Sequence, residues 1–406
     1  MTAATQSELH DGDSSPSWRS SARFTLLWFA ALAVGLTAVI SLSNAHLSEG
    51  ENTRQTTGRF DAVLGPWLQW DGSWYTLVAD KGYDDTQVAN YDAHAESAAA
   101  FFPGYALLVR YAEPVFGDAG AAEIALTLLS GAAFVLLFLT WCRRRMKDRA
   151  SRYAVLAILL FPFGYYLVMA PYSDALFLTA ALAAFLLLES DRPVLAGIAG
   201  AVATASRPVG LAVVVALVIL VLQQRGALHL DRRPRVEWRR LRRSDPAVLL
   251  SGLGLGAFMV FLWVRFGNPM AYSIAQRGWD QALDLHTIFK VNFFDRVLHD
   301  VNRGFVLRLI IQAAVAIVFL AAVPRVWRRF GAAYGWYTLI VLALPTIGSG
   351  MFLSVGRYVL AAFPVFALLG EWLDEQPARV GRLVLAASTL GLVVIASFYG
   401  RSYFMA

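Results

Sequence analysis

The chain has 406 residues, of which 57% are hydrophobic and 16% charged, and a mean hydropathy of +0.52. That balance excludes a water-soluble domain, whose surface needs more polar side chains than these residues supply. Apolar runs of membrane-spanning length recur instead, and they predict an all-α polytopic membrane protein.

Residues 1–22 are polar and without apolar period, and are expected to form a disordered cytoplasmic tail ahead of a single integral-membrane domain over 23–406. The first apolar run ends in "SNA" at 43–45, which resembles a cleavage site, but the acidic leader and full spanning length predict a retained anchor. About eleven spans are expected, at 24–45, 119–141, 153–170, 173–189, 194–206, 208–224, 247–266, 305–323, 332–350, 355–373 and 383–400. The linkers "RRRMKDRASR" (143–152), "PRVWRR" (324–329), "PARVGR" (377–382) and the arginine-dense loop 224–246 all fall on one side of this threading. Excess Lys and Arg mark cytoplasmic loops, so the segments 46–118 and 267–304 are expected outside. The formal net charge of +6 is then a matter of topology and lipid headgroups, and no nucleic-acid partner is expected. The lone cysteine, Cys142, excludes an internal disulfide and a cysteine-based metal cluster.

The run 194–206 is short, roughly 20 Å of helix against a hydrocarbon core of roughly 30 Å. Either it ends at "SRP" (206–208), or 194–224 is one kinked helix and everything downstream is inverted. Charge bias favours the break, and so does Pro208, which lacks a donor and disfavours helix at the residue before it. Arg207 is then held near the outer face.

In the first outer segment, "QWDGSWYTLVADKGYD" (69–84) places Trp70, Trp74 and Leu77 on one helical face, as in a helix lying on the membrane surface. Asp71 opens it, either as a cap that favours the positive helix end or as a general base at the membrane rim. Asp80, Asp84, Asp85 and Asp92 read as solvated loop acids. Phe101-Phe102-Pro103 starts a second short helix, with Glu96 before it as a second candidate carboxylate or a solvated loop end. In "MAPYSDALF" (169–177), Asp174 is an N-cap or a substrate contact, flanked by Tyr172. Arg207 and Arg357 stand near breaks in apolar runs, where an arginine is costly unless it faces a partner or an aqueous cavity. They are expected to share an anionic ligand, because a guanidinium matches a phosphate in bidentate fashion, whereas Arg265 can snorkel. No metal site is expected, although Asp71, Asp80, Glu96 and Asp174 are the acids that would have to converge on one. No GxxxxGK[ST], GxSxG or HExxH motif occurs, and no inverted repeat is evident.

The blocks "QWDGSWYTLVADKGYD", "AAFFPGYALLVR", "PYSDALF", "SRPVGL", "FGNPMAYSIAQRGWDQ" and "GRYVLAAFPVF" resemble, in this order, those of the PIG-V-like mannosyltransferase family, a branch of the GT-C class of membrane glycosyltransferases. The resemblance covers most of the chain from about 60 to 370. It implies a GT-C-like bundle with extracytoplasmic juxtamembrane helices, and a polyprenyl- or dolichyl-phosphate-linked sugar, usually mannose, as donor. Transfer would take place outside the cytoplasm, with inversion. The family's catalytic carboxylate maps onto Asp71. Arg207 and Arg357 would then bind the donor phosphate, and Trp70, Tyr75, Glu96, Tyr172, Asp174, Gln276, Arg277 and Trp279 would position substrates. No cofactor beyond the lipid-linked donor is implied, and the acceptor is an unassigned glycan, lipid or protein. The Ala/Gly-rich spans and compact basic loops suit a multi-pass protein of a bacterial inner membrane. Three alternatives stay open: a transporter or flippase of lipid-linked substrates, a non-catalytic scaffold, and a GT-C enzyme using another lipid-phosphate sugar.

Overall fold

A computed structural model describes residues 17–47, 63–83, 96–229 and 235–404. Most of the expected tail, the acids Asp84, Asp85 and Asp92, and part of the basic loop 224–246 lie outside the described residues. The helix α1 (Trp18–His46) begins within the stretch expected to be disordered, because Ser17 caps it by accepting the Ser20 N–H.

Among the described residues, five runs are long and apolar enough to cross a membrane: α1, α4 (Ala119–Arg143), Asp245–Phe266, α13 (Arg303–Phe330) and α17 (Ala378–Gly400). Their outward faces expose Leu27, Val34, Val264, Ile317, Val318, Leu383 and Leu390, side chains that water would not tolerate in such density but lipid does. The chain is an integral membrane protein. Three further apolar helices are shorter, namely α7 (Pro193–Ser206), Pro208–Gln224 (which contains α8, Leu211–Gln224) and α14 (Ala332–Gly348).

Two of the expected spans are broken. The run 153–170 yields α5 (Asp148–Leu159) and then a 3-10 turn at Gly164–Leu167, because Pro162 removes a donor and disfavours helix before it. The run 355–373 yields α15 (Val355–Tyr358) and a 3-10 turn that meet α16 (Phe363–Glu375) at 80°, with Pro364 in the first turn after the bend. Conversely, "PRVWRR" is no linker, since α13 runs through Pro324 to Phe330. The arginines of its last turn complement the negative helix end. The break expected at 206–208 is present, with Arg207 in extended conformation between α7 and the next turn. A single two-residue antiparallel pair, β1 (Leu228–His229) with β2 (Arg235–Val236), interrupts the otherwise helical described chain in the basic loop, Leu228 opposite Val236.

The basic linkers gather at one end of the bundle. Arg145 pairs with Glu189, Arg149 with Asp374, and Arg225 with Asp245 at 2.8 Å. Arg329 pairs with Glu371 at 2.6 Å and also donates to the Arg145 carbonyl at 2.8 Å.

At the other end the two segments expected outside come together. The helices α2 (Asp71–Lys81) and α3 (Pro103–Phe116) pack on each other, and α9 (Leu253–Phe266) and α10 (Ala271–Ala275) close over them. Their shared core holds Tyr75, Val78, Phe101, Phe102, Tyr105, Phe258 and Leu262. Gly72, Tyr75, Val78 and Ala79 of α2 are therefore buried in protein, and the helix does not lie open on a surface. Beyond α10, α11 (Leu285–Ile288) and α12 (Val291–His299) lead into α13. Lys290, at the start of α12, donates to the carbonyls of Thr346 and Ser349 and ties this segment to the end of α14. Behind all of this, α6 (Asp174–Glu189) lies between α4 and α7 and carries Asp174 on its first turn.

Candidate active site

The site starts from a strained residue. Trp70 has φ 56° and ψ −117°, a left-handed conformation that costs a bulky residue on the order of 1–3 kcal/mol. Its carbonyl accepts the Ser73 hydroxyl at 2.6 Å, and its ring meets Phe404 edge-on at 5.1 Å. The turn so made points the first residue of α2, Asp71, inward. The Asp71 N–H donates to the Tyr172 hydroxyl at 3.4 Å, and Asp71 Oδ2 accepts from Arg357 Nη1 at 2.7 Å. Gly72 lets α2 approach this closely, because a Cβ there would lie 2.8 Å from Pro171 Cγ. Gly72→Ala is expected to lower stability in detergent by about 1–3 kcal/mol through overpacking. Thermal unfolding checks this, and an unchanged midpoint would mean that α2 is free to move off Pro171.

Arg357 sits in the short helix α15 at the 80° bend, and Arg207 at the α7 break. Both are buried, with 5% and 8% of their surfaces exposed. Arg207 is ion-paired with Asp174, and Arg357 Nε lies 3.7 Å from the other oxygen of the same carboxylate. Tyr358 stands between the two guanidinium groups, its ring centroid 5.0 Å from each, and Arg357 also lies over Tyr172 at 4.9 Å. Two arginines and two aspartates thus form one buried network of zero formal charge. Ion pairs this deep return little stability once desolvation is counted. Charges in a membrane protein that face a cavity mark a ligand path. One donor is held in reserve, since Arg357 Nε is buried without a hydrogen-bond partner.

The network borders a cavity of about 520 Å³. Asp71, Tyr75, Arg207, Arg357, Gln276 and Trp279 line it. The aromatic wall is built by Phe101 and Trp279, edge-on at 5.4 Å, with Trp74 stacked on Phe101 at 5.5 Å behind them. Gln276 donates to the Ala100 carbonyl at 2.9 Å, pinning the 267–304 segment to the 3-10 turn before α3. Tyr75 shares a 2.8 Å hydrogen bond with Ser173. Burial pushes its hydroxyl far above the ordinary phenol range, so it stays neutral.

Three of the expected positioning residues, Trp70, Tyr172 and Asp174, stand behind the wall and hold the arginines and Asp71 rather than line the cavity. Asp174 is not the N-cap of α6. Ser173 occupies that position, and the Asp174 carboxylate is taken by arginine. Glu96 and Arg277 are exposed and absent from the lining. The sequence reading missed Asp280, Ser354 and Tyr358, which line the cavity. Asp280 and Tyr358 lie inside the recognised blocks and Ser354 two residues before one, but a lone acid or hydroxyl carries no periodic signal. Among the described residues no group of three or more His, Cys, Asp or Glu side chains is placed to hold a metal ion.

No protein-family model matches the chain, and no curated protein matches it in sequence. In fold it is similar to ArnT from Cupriavidus metallidurans, solved bound to undecaprenyl phosphate, with a TM-score of 0.50, 16% identity and 89% of this chain covered. The chain spans 63% of the length of that ArnT chain, and at this identity the likeness is one of fold. The apo state of the same ArnT gives a TM-score of 0.46 at 16% identity, covering 93% of this chain and 64% of that one. The archaeal oligosaccharyltransferase AglB from Archaeoglobus fulgidus, in complex with an inhibitory peptide and a dolichol-phosphate, gives 0.44 at 15% identity, covering 94% and 56%.

Proposed function

We propose that this chain is a GT-C-type glycosyltransferase that uses a polyprenyl-phosphate-linked sugar, an inverting mannosyltransferase working on the extracytoplasmic side of the membrane. The observation that carries the reading is the buried Asp71–Arg357–Asp174–Arg207 network opening onto one cavity. The fold likeness to ArnT, solved with undecaprenyl phosphate, supports a lipid-phosphate donor. The gathering of basic linkers at the opposite end of the bundle supports a cavity facing away from the cytoplasm.

In this reading the donor phosphate enters between Arg207 and Arg357. It competes with Asp71 for the Arg357 guanidinium, and so frees a carboxylate that is otherwise neutralised by its 2.7 Å ion pair. Donor binding therefore switches on the base. Asp71 takes the proton from the acceptor hydroxyl as that oxygen attacks the anomeric carbon from the face opposite the phosphate. The carbon–oxygen bond to the phosphate breaks, the anomeric centre inverts, and lipid monophosphate leaves with the added negative charge. The two arginines are already oriented by Asp174 and Tyr358, so they stabilise that charge without reorganising.

The test supplies purified protein in nanodiscs with labelled polyprenyl-phosphate mannose and an envelope lipid extract. Parallel arms carry the glucosyl and arabinosyl lipids, and a further arm contains EDTA. Labelled product from the mannosyl donor is expected, undiminished by EDTA. Product from another sugar alone would keep the class and overturn mannose. Movement of the lipid across a vesicle bilayer without any transfer would favour the transporter.

A further inference from the structure

The cavity has a second carboxyl, and its surroundings differ from those of Asp71. Asp280 lies in the 267–304 segment just after Trp279 and lines the same space. Among the described residues it makes no ion pair, whereas Asp71 and Asp174 are both held by arginine. Its Oδ1 accepts from Asn292 Nδ2 at 2.8 Å, while its Oδ2 is buried with no hydrogen-bond partner.

The backbone is bent to put it there. Asp280 is left-handed, at φ 55° and ψ 34°, and its carbonyl accepts the Gly350 N–H at 3.0 Å. The opposing strand-like contact Gln281–Ser349 fixes the register. Gly350 leaves the room that the carboxyl uses, since a Cβ on that glycine would lie 2.4 Å from Asp280 Oδ2. A buried oxygen without a partner costs about 1–3 kcal/mol, and native packing removes such groups unless something else satisfies them. Burial also raises the Asp280 carboxyl above the ordinary carboxylate range.

The charge pattern says what the partner is. Arg207 and Arg357 offer guanidinium donors to an anion that displaces Asp71, whereas an unpaired carboxyl repels an anion and accepts from hydroxyl groups. The cavity is thus polarised, with a phosphate end at Arg207 and Arg357 and a hydroxyl end at Asp280. We infer that Asp280 is a sugar-binding residue, its carboxyl turning the unpartnered Oδ2 toward a hydroxyl of the donor's sugar while the arginines hold the donor's phosphate. This assignment rests on the lipid-phosphate-sugar reading given above.

The experiment compares the affinity of nanodisc-embedded protein for two probes, polyprenyl-phosphate mannose and the same polyprenyl phosphate without sugar. Wild type is expected to prefer the sugar-bearing lipid. Asp280→Asn should weaken that lipid by about 10–100-fold, the effect of one hydrogen bond to a charged group, and leave the bare phosphate unchanged. Gly350→Ala crowds the same oxygen without altering the carboxyl, and should reduce the same preference. Equal weakening of both probes would make Asp280 a structural prop of the arginine end and overturn the assignment, as would no change in either. Wild type that binds neither lipid would instead overturn the lipid-phosphate reading, and this inference with it. Melting temperatures of each variant distinguish lost recognition from lost fold.

Discussion

Arg357→Ala is expected to abolish sugar transfer and to lower stability by about 3–5 kcal/mol, the scale for removing one partner of a buried ion pair. The size of the effect follows from how many groups this side chain serves. It holds Asp71 at 2.7 Å, lies 3.7 Å from Asp174, and covers the rings of Tyr172 and Tyr358. Without it, Asp71 and Asp174 face one remaining cation, Arg207. Arg357→Lys keeps the charge but not the planar fork, and so should recover stability more than activity. Unfolding in detergent and initial transfer rates check the two parts separately. If both variants behave like wild type, the network has no part in binding or in folding.

Asp71→Asn is expected to reduce transfer by about 10²–10⁴-fold, the range for loss of a positioned general base. Its binding behaviour should move the other way. The amide no longer competes for Arg357, so the bare lipid phosphate should bind at least as tightly as to wild type. A merely structural carboxylate would lower both quantities together. The pairing of slower transfer with undiminished phosphate affinity is therefore the signature to look for. Normal transfer by the variant would mean that Asp71 is only a first-turn residue of α2.

The amino-acid sequence announces much of this arrangement and hides a definite remainder. Pro208 made the break at Arg207 readable, and the buried arginines announced themselves by their cost in an apolar run. Pro162 and Pro364 carried the same kind of signal, yet the runs around them are apolar enough to be read through, so the broken spans at 153–170 and 355–373 were expected as continuous helices. Pro324 had the opposite effect, because α13 accommodates it and continues where a linker was expected. The surface-helix pattern put Trp70, Trp74 and Leu77 on one face, but Trp70 precedes α2 with a positive φ and packs against a different core cluster from Trp74 and Leu77. Those aromatics face Phe404, Phe101 and Trp279, contacts made by distant parts of the chain. Local periodicity contains nothing about such partners. For the same reason the sharing of Asp174 by both arginines, and the unserved oxygen of Asp280, emerge only from the tertiary structure.

The two ends of the Asp71–Arg357 ion pair are 286 positions apart. A ribosome adding about 5–20 residues per second makes the carboxylate roughly a quarter of a minute to a minute before its cation exists. Asp174 meets Arg207 much earlier in synthesis, so the network is assembled in order, one pair first and the closing arginine last. During that interval α2 can already pack on α3 through Tyr75 and Val78, but Asp71 lacks the arginine that pairs with it. Insertion of the last helices is thus the event that completes the cavity. A chain stalled before residue 357 would present membrane quality control with an uncompensated acid at the lip of a half-built bundle.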